Sequence, residues 1–81
     1  MTIIFTRKDN IINDSEFFKI MNIIIDQYSY KYTVNIHDNC IKITFIETLY
    51  SHIKYNQYDN MVYDIVNNDI IKKNYSFIYK E

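Results

Sequence analysis

The 81-residue sequence has no glycine, no proline, no tryptophan, no alanine and a single cysteine. Without glycine the backbone cannot wrap closely around a phosphate, which excludes the dinucleotide-binding and P-loop kinds of nucleotide site. One cysteine cannot close an internal disulfide, and without a second thiol there is no Cys-x-x-Cys half-site for structural zinc. That usage fits a reducing compartment. No apolar run approaches the roughly 18 residues of a membrane span, and residues 2–5 are too short, and lack the basic flank, for a secretory signal. The expectation is a cytoplasmic protein, of the host cell if viral, with no membrane partner.

What is present is as skewed as what is missing. Ile, Asn, Tyr, Lys and Phe make up more than half of the chain. Their codons are AT-rich and those of the missing residues GC-rich, so the composition points to an AT-rich genome, with a phage, virus or mobile element as a reasonable source. The same bias weakens any functional argument from the abundance of Tyr or Asn alone. The length allows one domain, 1–81, that buries about 60–65% of its unfolded surface. Nine basic and ten acidic side chains give a net charge of −1, which argues against a protein that holds nucleic acid chiefly by neutralising phosphates. The basic pairs Arg7-Lys8 and Lys72-Lys73 are offset by Asp9 and Asp69 and read as solvated ends of elements.

Residues 2–6 form a β-branched and aromatic run that reads as an interior strand. After candidate caps at Asn13, Asp14 and Ser15, Phe17, Phe18, Met21, Ile24, Ile25 and Tyr28 recur at helical spacing and predict an amphipathic helix over 14–28. Two strands, 31–37 and 40–47, then fold back around Asp38-Asn39. A two-residue loop fixes the register, so His37 faces Cys40, Asn35 faces Lys42 and Val34 faces Ile43. Asp and Asn, in the absence of glycine, take the left-handed conformations that both central positions of a type I′ turn need. Tyr32, Val34, Ile36, Ile41, Ile43 and Phe45 share an apolar face expected to be buried, while Thr33, Asn35, His37, Cys40, Lys42 and Thr44 share a wet one. Residues 49–55 read equally well as a helical turn or a strand extension. A second helix, starting between 48 and 57, sets Tyr58, Met61, Val62, Ile65 and Val66 against a polar face of Gln57, Asn60, Asp64, Asn67 and Asn68. Alternation at Tyr75, Phe77 and Tyr79 marks the last strand.

The order strand-helix-strand-strand-helix-strand predicts an α+β domain of the ferredoxin-like β-α-β-β-α-β kind. Such a domain is a four-stranded antiparallel sheet with two helices on one face, strands one and three central and strands two and four at the edges. Fold class of this sort carries no function with it.

His37, Cys40 and His52 supply imidazole and thiolate, but three such groups fall short of a closed zinc site. Nothing orients His37 as a base for Cys40, and no oxyanion hole is visible, so no catalytic residue, metal or cofactor is expected and the chain reads as a non-enzyme. The aspartates lack the pairing that acid–base hydrolysis or a calcium loop requires. The open face of the central strands, Thr2, Ile4, Thr6, Cys40, Lys42, Thr44 and Ile46, has no aromatic on which to stack a base. Nine tyrosines exceed what a small core accommodates, so several, among them Tyr30, Tyr50, Tyr55, Tyr63 and Tyr75, are expected at the surface, where tyrosine suits protein interfaces.

The resulting expectation is a small protein-binding domain acting by steric occlusion. Its concrete version is a stoichiometric modulator or inhibitor of host machinery encoded by a phage or similar element, for example an anti-CRISPR or other anti-defence protein. The expected contact residues are Asn35, His37 and Lys42 on the sheet and Asn60, Asp64 and Asn67 on the second helix. The alternatives are a nucleic-acid accessory protein and a self-associating protein that forms a homodimer through the edge strand 30–37.

Overall fold

The computed structural model describes residues 1–9, 13–48 and 57–80. Its elements are β1 (Thr2–Arg7), α1 (Ser15–Gln27), β2 (Lys31–His37), β3 (Cys40–Ile46), α2 (Gln57–Val66), α3 (Asp69–Asn74) and β4 (Tyr75–Lys80). The four strands form one antiparallel sheet in the order β2-β3-β1-β4. The chain is therefore α+β, with β1 and β3 central. β1 and β2 run parallel with β3 between them, and β3 and β4 run parallel with β1 between them. Residues 49–56, which admit two readings in sequence, and with them Tyr50, His52 and Tyr55, lie outside the described residues.

All helices add to one core with a single face of the sheet. Ile3, Phe5, Ile41, Ile43 and Phe45 from the central strands are buried together with Phe17, Met21 and Ile25 of α1, Met61, Val62, Ile65 and Val66 of α2, and Ile71 of α3. Full burial of such a side chain contributes about 2 kcal/mol. That offsets the poor helix propensity of the run Ile23-Ile24-Ile25, whose last member is the one buried.

Four local features differ from expectation. The predicted second helix is two helices, giving three rather than two among the described residues. The break falls at Asn68, whose side-chain carbonyl accepts from the backbone N–H of Ile70 (3.0 Å) and Ile71 (3.3 Å) and so starts α3 as an N-cap. The hairpin has the expected register, but of its central residues only Asp38 has a positive φ (51°), so Asn39 does not take the left-handed conformation that a type I′ turn needs at its second central position. At the start of α1, Asp14 does not cap with its side chain; Asn13 Oδ1 accepts from Ser15 N (2.9 Å), leaving the Asp14 carboxylate for another partner. Finally, the apolar face of β2 is not covered: Val34 is 40% and Ile36 52% exposed.

Helix α1 ends in a Schellman motif without glycine. Ser29 takes the left-handed conformation (φ 59°), its N–H donates to Asp26 O (3.2 Å), and Tyr30 N–H donates to Ile25 O (3.3 Å). The hydrophobic contact of that motif lies between the residues at those ends, which buries Tyr30 beside Ile25. Tyr30, expected at the surface, is a core residue for this reason.

Tyr75 is the second tyrosine to move inward. Its ring packs against Phe17 (centroids 4.7 Å apart) and its hydroxyl donates to Asp14 Oδ1 (2.6 Å). The same carboxylate receives Arg7 Nε (2.9 Å) and Nη2, while Arg7 Nη1 donates to the carbonyl of Asp38 (2.8 Å). Arg7 is thus a partly buried tie between β1, the hairpin turn, α1 and β4, and not a solvated strand end. The hydrogen-bonded guanidinium holds the Asp14 carboxyl below its ordinary range, and burial, followed by the bond to Asp14, pushes the Tyr75 phenol up.

Candidate functional site

The sheet face away from the helices is open. Across it run three rows: Thr33, Thr44, Thr2 and Lys80; Asn35, Lys42, Ile4 and Ile78; His37, Cys40, Thr6 and Ser76. Asn35, His37 and Lys42, the expected sheet contacts, lie together here and are exposed. The threonines bind one another, with Thr2 Oγ1 and Thr44 Oγ1 3.4 Å apart. Cys40 Sγ lies 3.6 Å from Thr6 Oγ1, and His37 Nε2 lies 3.4 Å from Asp38 Oδ2 at the rim of the turn. No group of three or more metal-ligating side chains occurs among the described residues.

The expected helical contacts sit on the other layer. Because Met61, Val62, Ile65 and Val66 press α2 onto the opposite face of the sheet, Asn60, Asp64 and Asn67 point away from the polar rows, and no single flat surface spans both sets. They are also divided among themselves. Asp64 accepts a hydrogen bond from the hydroxyl of Tyr28, the C-cap of α1, which raises the Tyr28 pKa, whereas Asn67 donates to Tyr63 O (3.0 Å) and lines a cleft on the far flank of α2. Asn60 is exposed on the stripe with Asp64.

That cleft has a volume of about 710 Å³. It lies where α2 passes the last residues of β4 and the first of β1. Tyr58, Val62 and Val66 form its helical wall, Tyr79 and Met1 its opposite wall, and Asp59, Asn67 and Lys80 supply charge and hydrogen-bonding groups at its edge. Tyr58 is anchored from behind by Phe45 (5.7 Å) and Tyr30 (6.0 Å), and burial pushes its phenol up. Tyr63 and Tyr79, 66% and 58% exposed, stand at the mouth. Few polar groups over an apolar floor is the usual make-up of a binding cleft.

Of this lining, sequence reasoning identifies only Asn67 as a contact. It places Tyr63 at the surface without a site to belong to. The signal for Tyr63 is position: a large aromatic on the polar stripe of an amphipathic helix is out of place unless something covers it. Tyr79 shares its strand face with Tyr75, and alternation alone does not separate the exposed one from the buried one.

No family model, curated protein or solved structure matches the chain. No helix among the described residues is long and apolar enough to cross a membrane.

Proposed function

We propose that the chain is a protein-binding domain that works by occupying a surface of its partner, with the cleft between α2 and β4 as the contact. The observation that carries the reading is the pairing of an apolar cleft of about 710 Å³ with two exposed tyrosines at its mouth. Aromatic anchors around a desolvated pocket are where binding energy concentrates in protein interfaces, and tyrosine supplies contact area with little conformational entropy to lose. A cleft with one lysine at its edge and a sheet face without aromatics suit a protein side chain better than a nucleic-acid strand. We read the architecture as ferredoxin-like, on the central position of β1 and β3 and the interleaved crossovers, with α3 as an addition. Small size and AT-rich composition support the narrower version, a phage or mobile-element modulator of host machinery acting by steric occlusion without chemistry of its own.

The test is a tagged pull-down from host lysate, run with and without nuclease, comparing wild type with Tyr63→Glu and with Lys42→Ala. Both sites are exposed, so each variant should unfold within about 0.5 kcal/mol of wild type. The reading expects one near-stoichiometric protein that Tyr63→Glu loses and Lys42→Ala keeps. Prey that vanishes with nuclease, or that depends on Lys42 and not on Tyr63, overturns it.

A further inference from the structure

The edge strand β2 presents an unprotected row of backbone groups. The N–H of Phe45 donates to Met1 O, just ahead of β1 (2.8 Å), so the odd-numbered residues of β3 turn their backbone groups toward β1 and the even-numbered ones toward β2. Their β2 partners, Lys31, Thr33, Asn35 and His37, therefore face inward, and Tyr32, Val34 and Ile36 direct their N–H and C=O groups to the free edge. These same three residues carry the β2 side chains on the core face of the sheet, where Val34 and Ile36 stand largely exposed. The strand runs seven residues with no proline, no bulge and no charge between its ends, so the usual protections of an edge are missing.

We infer that two copies of this chain join through antiparallel β2–β2 pairing centred on Val34, making one continuous eight-stranded sheet with the helices of both copies on the same side. Antiparallel neighbours that face each other share a sheet face, so only registers that match like parity are allowed. Centring on Val34 is the one that pairs all three outward residues of each copy: Val34 with Val34, and Tyr32 with Ile36 in both directions. Cross-strand aromatic and β-branched pairs of that kind are favourable. The hollow of about 570 Å³ between α1 and β2, walled by Ile23, Tyr30 and Tyr32, opens beside the position that Ile36 of a second copy takes. The strand is also complementary to itself in charge. Lys31 opens it and Asp38 follows it, so the two-fold brings each cation to the end of the neighbouring strand that carries the anion. Pairing at β2 leaves the cleft at β4, the other edge, unobstructed, so the pair presents two clefts at opposite ends.

The experiment traps the register on a Cys40→Ser background. With Val34 on the two-fold, the facing Cα atoms are about 5.5 Å apart, within disulfide reach, whereas two copies of residue 36 are about 14 Å apart. Under mild oxidation the inference expects Val34→Cys to form a covalent dimer and Ile36→Cys to form at most a tenth as much. Light scattering should give about twice the 10.0 kDa chain mass for wild type. Val34→Pro, which removes only an outward N–H, should return the mass to 10.0 kDa with an unchanged circular dichroism spectrum. Equal trapping at 34 and 36, or a wild-type mass that stays at that of one chain up to about 1 mM, overturns it.

Discussion

Tyr75 and Tyr79 stand four residues apart on the same face of β4, yet one is 3% and the other 58% exposed. Over Tyr75 lie Phe17 at the start of α1 and the Arg7–Asp14 pair. Tyr79 has the T-shaped contact with Phe77 and, across the cleft, the flank of α2. The other edge repeats the contrast with its ends reversed: Tyr32, whose hydroxyl donates to Asn22 on α1, is half-buried, while Ile36 at the turn is bare. The covered corners thus lie on one diagonal of the sheet and the bare corners on the other, as expected when helices cross a twisted sheet at an angle. The two bare corners differ in kind. At β4 a helix stands opposite and makes a cleft with aromatic walls; at β2 there is an apolar row with outward backbone groups. Side-chain insertion suits the first and strand pairing the second.

The sharpest way to break this contrast is to truncate both tyrosines. Tyr75→Ala should destabilise the fold by about 4 kcal/mol, since it empties a buried aromatic site and removes one of the hydrogen bonds to Asp14, while Tyr79→Ala should cost less than about 1 kcal/mol. Urea denaturation measures both, and equal losses would remove the distinction between the corners.

Next in size is the tie that covers the Tyr75 corner. Arg7→Ala leaves a partly buried carboxylate without its cation and should cost about 3 kcal/mol in the same assay. The tie also sets a pH dependence. The folded Asp14 carboxyl lies below its ordinary range, so the folded state binds fewer protons than the unfolded chain as pH falls. Its contribution is fully present above about pH 4 and is lost as acid brings the pH down through the lowered folded value. Asp14→Asn should therefore be less stable at pH 7 and show a shallower acid limb. Tyr75 acts at the other extreme: with its pKa raised, it contributes below about pH 10 and loses that contribution as the pH climbs beyond.

The local grammar of this chain is legible because it depends on neighbours in sequence. A continuous β-branched and aromatic run identifies β1, alternation identifies β3 and β4, helical spacing identifies α1 and α2, and a two-residue loop sets the hairpin register residue by residue. Cover is not legible, because it depends on where a helix ends up. The apolar stripe Tyr32, Val34, Ile36 looks the same as Ile41, Ile43, Phe45 in sequence, and only position in the sheet separates an overhanging edge from a core. Tyr30 and Tyr75 depart from expectation for related reasons. One is drawn in by a helix cap formed by serine in place of glycine, the other by a carboxylate that left its expected capping role. The cleft unites residues 1 and 79 with 58–67, a juxtaposition that no local pattern encodes.

The smallest effect tests that cap. Ser29→Gly relieves the left-handed strain of an L-residue and adds unfolded-state freedom, for a net gain of about 0.5 kcal/mol in thermal or urea unfolding. It should leave both bare corners unchanged.

The uneven cover of the sheet, with its bare β4 corner as the docking surface, is tested most directly by nitrating the tyrosines and reading each site by mass spectrometry, on the free protein and on the complex recovered from lysate. The account predicts fast modification of Tyr63 and Tyr79, slow modification of Tyr30 and Tyr75, and protection of the fast pair when the partner is bound. Modification of Tyr75 as fast as Tyr79, or a bound partner that leaves Tyr63 and Tyr79 as reactive as before, would contradict it.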